Sequence, residues 1–441
     1  MAYLLAGSIA IAGSLYAGTG IGMQKMKTEA DAAAKARVLK IDGSTQVKGG
    51  NSLFRGLGAV TCNGSSRLLM DYKEENPDQY WEIMNWLFHP QKGVGLSHVK
   101  IELGCDSDTS SGAEPATKRN PSQKADVRRG AGFMFAHDAL KINPDITVDM
   151  LCWGMPAWVE EKYEKSEKAG FQARYRWYKE TMDAAYDIWG IQFSYVSANR
   201  NERVIEKEWT KYLRKALDTE KIQRYDYSQV KIVAADETDN MYVAQEMLSD
   251  NGYRDAVDVI GCHYNSYMDK NVKKLHDTYK KEVWFSEGSS VATDSIFGAN
   301  NTEDGKSTSG LNGMLDIANR IIIGMAQSNM TLYEFQPSVA AYYDGTVYFP
   351  KQLIAANTPW SGGYSVSNGL VMSMHFTNFI EKGWRIVDSG SYGDGTQTNH
   401  CIIDTKNTYL TAVQQSGKDC GWDNQRHEAG KVCQSEIKGF G

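Results

Sequence analysis

The stretch SYVSANRNERVIEKEW, Ser194–Trp209, begins as an apolar run suited to a buried strand and ends as a charged run suited to a helix, with Asn201 and Glu202 at the join. Outward from it the same alternation recurs along the chain. Candidate strands are FRGLGAV from residue 54, LSHVKIELG from 96, DITVDMLCW from 145, IQFSYVSAN from 191, QVKIVAADE from 229, VDVIGCHY from 257, EVWFSEG from 282 and MTLYEFQP from 330. Between them lie stretches such as FQARYRWYKETMDAAYDIWG and LNGMLDIANRIIIGMAQS, in which apolar residues recur at the three-to-four spacing of a helix face. Eight strand–helix alternations predict an α/β fold, a (β/α)8 TIM barrel over residues 54–340. An open doubly wound sheet is the alternative, disfavoured because no Gly-rich phosphate loop follows the first strand.

The flanks read differently. After residue 340 the chain turns Gly-rich and β-like, and GWRIVDSGSYGDG, NHCIIDTK and TYLTAVQQ predict antiparallel strands of an adjoining β-sandwich over 341–441. The early segment ARVLKIDGSTQVKGG has the same character, so residues 37–53 are expected to contribute a strand to it. The final SGKDCGWDNQRHEAGKVCQSEIKGFG shows no period and reads either as a loose tail or as strands left incomplete. Residues 1–36 form a signal-like segment and linker: an uncharged apolar run with small residues before Lys25 resembles a secretory signal without its usual basic start. A membrane anchor and a buried helix are the other readings, and the signal reading predicts a secreted or lumenal, lysosome-like location.

Composition narrows the function. Of 441 residues, 41% are hydrophobic and 23% charged, a globular profile, and the net charge of −6 lacks the basic footprint that a nucleic-acid partner requires. The 11 Trp and 24 Tyr suit stacking on sugar faces. Seven cysteines without a CxxC pair and eight histidines without an HExxH pair predict no metal and no cofactor. Only Cys420 and Cys433 look like a local bridge.

In (β/α)8 enzymes the chemistry sits at the carboxyl ends of the strands. Glu202 ends the fourth candidate strand and Glu287, in VWFSEGSS, the seventh, so both carboxylates are expected at one mouth. Facing carboxylates are what glycoside cleavage needs. Taken alone, a Glu beside Asn or Ser is more often a solvated loop residue or a helix cap.

FRGLGAVTCNGSSRLL, VKIELGCDSDTSSGAEPAT, LCWGMPAWV, Asn201–Glu202, VDVIGCHY, VWFSEGSS and NTPWSGGY occur in one order over about residues 54 to 390. In these motifs the chain resembles the galactocerebrosidase family, glycoside hydrolase family 59, lysosomal β-galactosidases that act on galactosylceramide, and their microbial relatives. The resemblance implies a retaining galactosidase with Glu202 as acid/base and Glu287 as nucleophile. It implies that Asn201 meets the sugar's 2-hydroxyl, that Trp153 walls the galactose pocket, and that Thr109 falls at or next to a sugar-contacting Thr. Tyr333 lies near the position of a family Trp at the site, and Tyr264 is placed to hydrogen-bond Glu287. His263, Arg67 and Trp360 read as structural. The substrate implied is a β-galactoside or glycolipid, and the need for an activator protein is open. Two other functions fit the same residues: a related β-glycosidase with another sugar, such as a glucoside or xylan, and a non-catalytic carbohydrate-binding protein.

Two departures from the family stand out. The lectin-like domain that follows the sandwich in the animal enzyme is not expected here. The family Trp before Asn-Glu is Arg200, whose cation is expected to lower the Glu202 pKa if it faces it, or to pair with Glu206 if it turns away.

Overall fold

All eight predicted segments form strands in the computed structural model: β1 Gly56–Thr61, β2 His98–Glu102, β3 Thr147–Leu151, β4 Tyr195–Ser197, β5 Lys231–Glu237, β6 Val259–His263, β7 Glu282–Glu287 and β8 Met330–Phe335. The structure describes residues 39–41, 53–61, 65–107, 114–203, 205–237, 242–264, 269–289, 308, 311–340, 351–392, 398–405, 408–415 and 435–437. Strand order is β3-β2-β1-β8-β7-β6-β5-β4, and every neighbouring pair in it is parallel. The ends of that order meet. Ser194 N–H donates to Val148 O at 2.9 Å, Asn201 N–H donates to Cys152 O at 2.7 Å, and a parallel bridge joins Cys152 to Arg200. The sheet therefore closes into a barrel and has no free edge.

Helices cover the outside as the sequence periods predict. The segment FQARYRWYKETMDAAYDIWG falls in the 23-residue helix Glu167–Trp189, started by Ser166, whose hydroxyl accepts from Ala169 N–H, and stopped by Gly190 at φ 68°. Such left-handed stops favour glycine, which has no Cβ to clash. This helix buries Trp177, Tyr178, Met182 and Ala185. Each large side chain so buried is worth roughly 1.5–3 kcal/mol in transfer from water.

Strand alternation sorts the rest. Outward residues such as Val99, Ile101, Val148, Met150, Val196, Ile232, Ile260, Phe285 and Phe335 join the helices in one apolar core. Inward residues Tyr195, Val233, Val259, Trp284 and Leu332 make a separate apolar plug toward the strand starts. Above the plug the barrel interior is polar, and that layer carries the candidate site.

Beyond the barrel, Val339–Ala340, Ile354–Thr358 and Gly363–Val366 form a small sheet, and the helix Asn368–Thr377 adds Leu370 and Phe376 to the main core. Arg385–Tyr392, Thr398–Thr405 and Thr408–Gln415 form the antiparallel sheet that their sequences predict. Leu53 makes an antiparallel bridge to Arg385 at the start of those three strands, and Leu39–Ile41 pairs in parallel with Ser435–Ile437, in the segment without a sequence period. Three residues hold too little alternation to specify a partner. The signal-like segment, Cys420, Cys433 and Thr109 lie outside the described residues. Among the described residues no helix is long and apolar enough to cross a membrane.

Candidate active site

Glu202 reaches the mouth by a break in strand geometry. Tyr195 and Ser197 face into the barrel, while Val196 and Ala198 pack outward, and this alternation carries Asn199 and Asn201 inward and Arg200 outward. Continued, it would turn Glu202 outward too. Instead Glu202 adopts φ 53°, with its N–H donating to Asp236 O at 2.8 Å, and the chain swings its carboxylate back over the opening. A non-glycine residue in the left-handed region is uncommon and costs free energy, so the surrounding contacts must enforce it.

Glu287 closes β7 from the other side and is almost fully buried. The Tyr264 hydroxyl donates to Glu287 Oε1 at 2.7 Å, and Tyr264 N–H donates to Glu287 O at 2.9 Å. His263, wholly buried, stands between the carboxylates: Nδ1 lies 2.9 Å from Glu202 Oε1 and 3.7 Å from Glu287 Oε2. One polar atom from each of the three residues lies within 4.8 Å of the others. The Glu202 side chain is 35% exposed, whereas that of Glu287 is 3% exposed. One carboxylate thus meets solvent and the other does not.

The charges settle on the ring. Burial favours a neutral imidazole, yet the charge of Glu287 and the bonds to Asp236 and Glu202 push the His263 pKa up to about 10. Burial alone would raise Glu202; His263, by hydrogen bond and charge, with Tyr264 and Lys351 behind it, holds it below the usual carboxylate range. Burial and the two carboxylates push the Tyr264 phenol far upward, so it stays a donor.

Beneath this trio lies a layer of buried titratable groups. Lys100 Nζ donates to Asp236 Oδ1 at 3.1 Å and to Ser286 O at 3.0 Å, and lies 3.2 Å from Glu334 Oε2. Ser197 Oγ donates to Asp236 Oδ2 at 2.5 Å. Lys100 and the other partners depress Asp236 strongly despite its burial, whereas burial raises Glu334 well above the usual range and Asp149 to about 7. Gly261 leaves the room for these groups: a Cβ there would meet Asp236 Oδ1 and Ser286 Oγ at 2.6 Å. The sequence reading missed this layer. Its signal was a charged residue at an inward position between apolar neighbours, Lys100 in HVKIE, Asp149 in TVDML and Glu334 in MTLYEF.

The other predicted residues fall into groups. Asn201 is 2% exposed, and neither atom of its amide has a protein partner. Trp153 is buried just past the end of β3 and lines a cleft of about 660 Å³ with Cys105, Arg119, Met155, Glu160, Arg200 and Arg203; neither carboxylate is in its lining. Tyr333 is set apart: strand alternation puts it on the outer face, stacked on Phe285 at 3.9 Å, with its hydroxyl donating to Ser289 O. Its inward neighbours are Leu332 and Glu334, so Tyr333 supports the strand pair and does not line the cleft. Arg200 also faces outward, and its Nε lies 3.5 Å from Glu206 Oε1. The cation at Glu202 is His263, not Arg200. Arg67 is exposed and paired with Asp71, and Trp360 is 72% exposed on a turn, so neither has a core role.

The sequence pattern described as glycosyl hydrolase family 59 matches residues 54–378, about three-quarters of the chain. The chain belongs to this family. Among the relatives of this family 59 chain, the galactocerebrosidase of Mus musculus is 31% identical over 372 residues, covering 80% of the chain and 48% of the mouse protein. That of Homo sapiens is 30% identical over 365 residues, with the same coverages. The chain thus spans about half the length of the curated relatives it matches. In fold it is similar to SrfJ from Salmonella typhimurium, with TM-score 0.61 at 14% identity over 86% of this chain and 91% of that one. It is similar too to the catalytic domain of GH30 xylanase C from Talaromyces cellulolyticus, with TM-score 0.62 at 13% identity over 86% of each chain.

Proposed function

We propose that the chain is a retaining glycosidase that removes terminal β-D-galactose, with galactosylceramide-like glycolipids as the substrate class. The observation that carries this reading is the closeness of Glu202 and Glu287: one oxygen of each and one His263 nitrogen lie within 4.8 Å of one another, which suits a closely spaced pair. Retaining enzymes hold their carboxyl groups about 5–5.5 Å apart, whereas inverting ones need roughly 6.5–9.5 Å to admit a water. Glu287, buried and oriented by Tyr264, is the nucleophile; Glu202, open to solvent, protonates the leaving oxygen and then activates water. The unpartnered Asn201 amide is free to bond the sugar's 2-hydroxyl, and Trp153 offers the ring an apolar wall. The galactose preference rests on relatives named galactocerebrosidases, and the signal-like amino terminus supports a secreted or lumenal location.

Glu287→Ala should lower turnover of an aryl β-galactoside by at least about 10⁴-fold, as loss of a covalent nucleophile does. Added azide should restore product of inverted configuration. Recovery of the retained anomer removes Glu287 from that role, and faster cleavage of the aryl glucoside than of the galactoside removes the galactose assignment.

A further inference from the structure

His263 touches acids from three parts of the barrel mouth. Besides Glu202 and Glu287 at Nδ1, its Nε2 lies 3.6 Å from Asp236 Oδ1. Asp236 is itself fixed by Lys100 and Ser197. The backbone bends to place it: Ala235 has φ 77°, Asp236 has φ 43°, and the β5–β6 register shifts between Ala235 and Glu237. Strain of this kind at non-glycine residues persists where the surroundings over-determine it, and it collects at functional sites. A purely structural histidine would not need a strained carboxylate aimed at its far nitrogen.

We propose that His263 is the proton store of the acid/base: in the free enzyme the proton needed by the leaving oxygen resides on Nδ1 and crosses the 2.9 Å contact to Glu202 Oε1 during the reaction. This rests on the roles assigned above to Glu202 and Glu287. The Nδ1–H bond breaks, the ring keeps the electron pair and becomes neutral, and an O–H bond forms on Glu202. Rotation of that carboxyl then delivers the proton to the glycosidic oxygen as Glu287 attacks the anomeric carbon. In the second half Glu202 takes a proton from water, the hydroxide attacks the anomeric carbon, and Glu287 leaves as a carboxylate. Its returning charge draws the proton from Glu202 back to His263.

The charge count closes on this route. In the free enzyme the trio holds an imidazolium and two carboxylates, a net charge of −1. In the glycosyl-enzyme it holds a neutral ring, one carboxylate and an ester, again −1. A site with His263 and Glu287 both buried is spared a change of net charge, which burial makes costly. The groups facing the ring agree: Glu202 after β4, Asp236 on β5 and Glu287 on β7 hold the proton there, the nearby cations Lys100 and Lys351 are engaged with Asp236 and over the Tyr264 ring, and Tyr264 remains neutral.

The test is His263→Asn, which retains an amide near Nδ1 but does not titrate. Its pH profile of kcat/KM is compared with that of the wild type on two substrates, methyl β-galactoside, which needs acid catalysis, and 2,4-dinitrophenyl β-galactoside, which does not. The alkaline limb on the methyl glycoside should fall by about one pH unit or more, while turnover of the dinitrophenyl glycoside persists. A limb that stays where it was means that His263 only orients Glu202, and a limb that rises means that it only suppresses the acid; either overturns the proposal. Nitrogen-15 imidazole spectra of the wild type give a reading that needs no variant. One of the eight histidines should remain doubly protonated above pH 8, and the proposal falls if all titrate near the ordinary value of about 6.5. Absence of wild-type turnover on any glycoside sinks the glycosidase reading, whereas turnover with an unmoved limb sinks the proton store alone.

Discussion

The barrel interior has two floors, and they are held by different forces. Toward the strand starts, Tyr195, Val233, Val259, Trp284 and Leu332 form an apolar plug. Toward the strand ends, Lys100, Asp149, Asp236, His263 and Glu334 form an equally buried layer of titratable groups. His98 sits at the seam, its ring edge-on to Tyr195 and Trp284 and its Nε2 3.8 Å from Glu334. The lower floor stabilises by excluding water at any pH. The upper floor stabilises only while each charge keeps its partner, because an unpaired buried charge costs more than the pair contributes.

The largest effect should come from removing the fully buried lysine that serves two acids. Lys100→Met leaves Asp236 and Glu334 facing each other in a fully buried space, at an expected cost of about 3–5 kcal/mol. Leu332→Ala in the plug should cost roughly 2–4 kcal/mol through lost burial and a residual cavity. Urea unfolding at pH 5 and pH 8 separates the floors: the Leu332 loss should be the same at both, and the Lys100 loss should be larger at pH 8, where the acids shed their protons. Equal pH dependence would erase the distinction.

A smaller effect, with a sign, belongs to Asp149. Burial lifts its folded pKa from 3.8 to about 7, so the folded state binds its proton more tightly than the unfolded one. The resulting stability is fully present below pH 4 and is lost as pH rises through 7. Asp149→Asn preserves the acceptor that Met150 N–H uses. It should be neutral at pH 4 and should stabilise by up to about 4 kcal/mol at pH 8. A destabilised variant at pH 8 would mean that Asp149 is ionised and paired with Lys100.

What sequence made legible, and what it hid, follows the same division. Strand runs, helix faces and the Glu202 and Glu287 positions were readable because each depends on local period and on one fold rule, that chemistry gathers at strand ends. The upper floor was not readable. Lys100, Asp236 and Glu334 come from strands far apart in the chain: the strands of Lys100 and Glu334 meet across β1, and closure of the sheet between Cys152 and Arg200 brings Asp236 to them. The misplacement of Tyr333 has a different cause: proximity to a motif position was followed where alternation with Leu332 and Glu334 already set the outward face. The orientation of Glu202 was hidden as well, since a left-handed φ at a Glu leaves no trace in composition.

The smallest expected effect concerns Arg200, which period two turns to the outer face although it adjoins the acid/base candidate. Its guanidinium lies 3.5 Å from Glu206, which also accepts from Arg174 at 3.0 Å, so Arg200 has a carboxylate partner of its own although it lines the cleft with Trp153. Arg200 is absent from the groups that hold Glu202 low; His263 leads them. Arg200→Trp should therefore leave the alkaline limb of kcat/KM on an aryl galactoside where it is in the wild type, within about 0.3 unit, because a charge acts on a carboxyl mainly within about 4–6 Å. Its stability cost should be below about 1 kcal/mol, as for a half-exposed ion pair. A limb displaced upward by a full unit would place Arg200 at the mouth and return to it the part now assigned to His263. That outcome would also blur the division between an ionic interior and a packed exterior, since a residue on the outer face would then be tuning the acid.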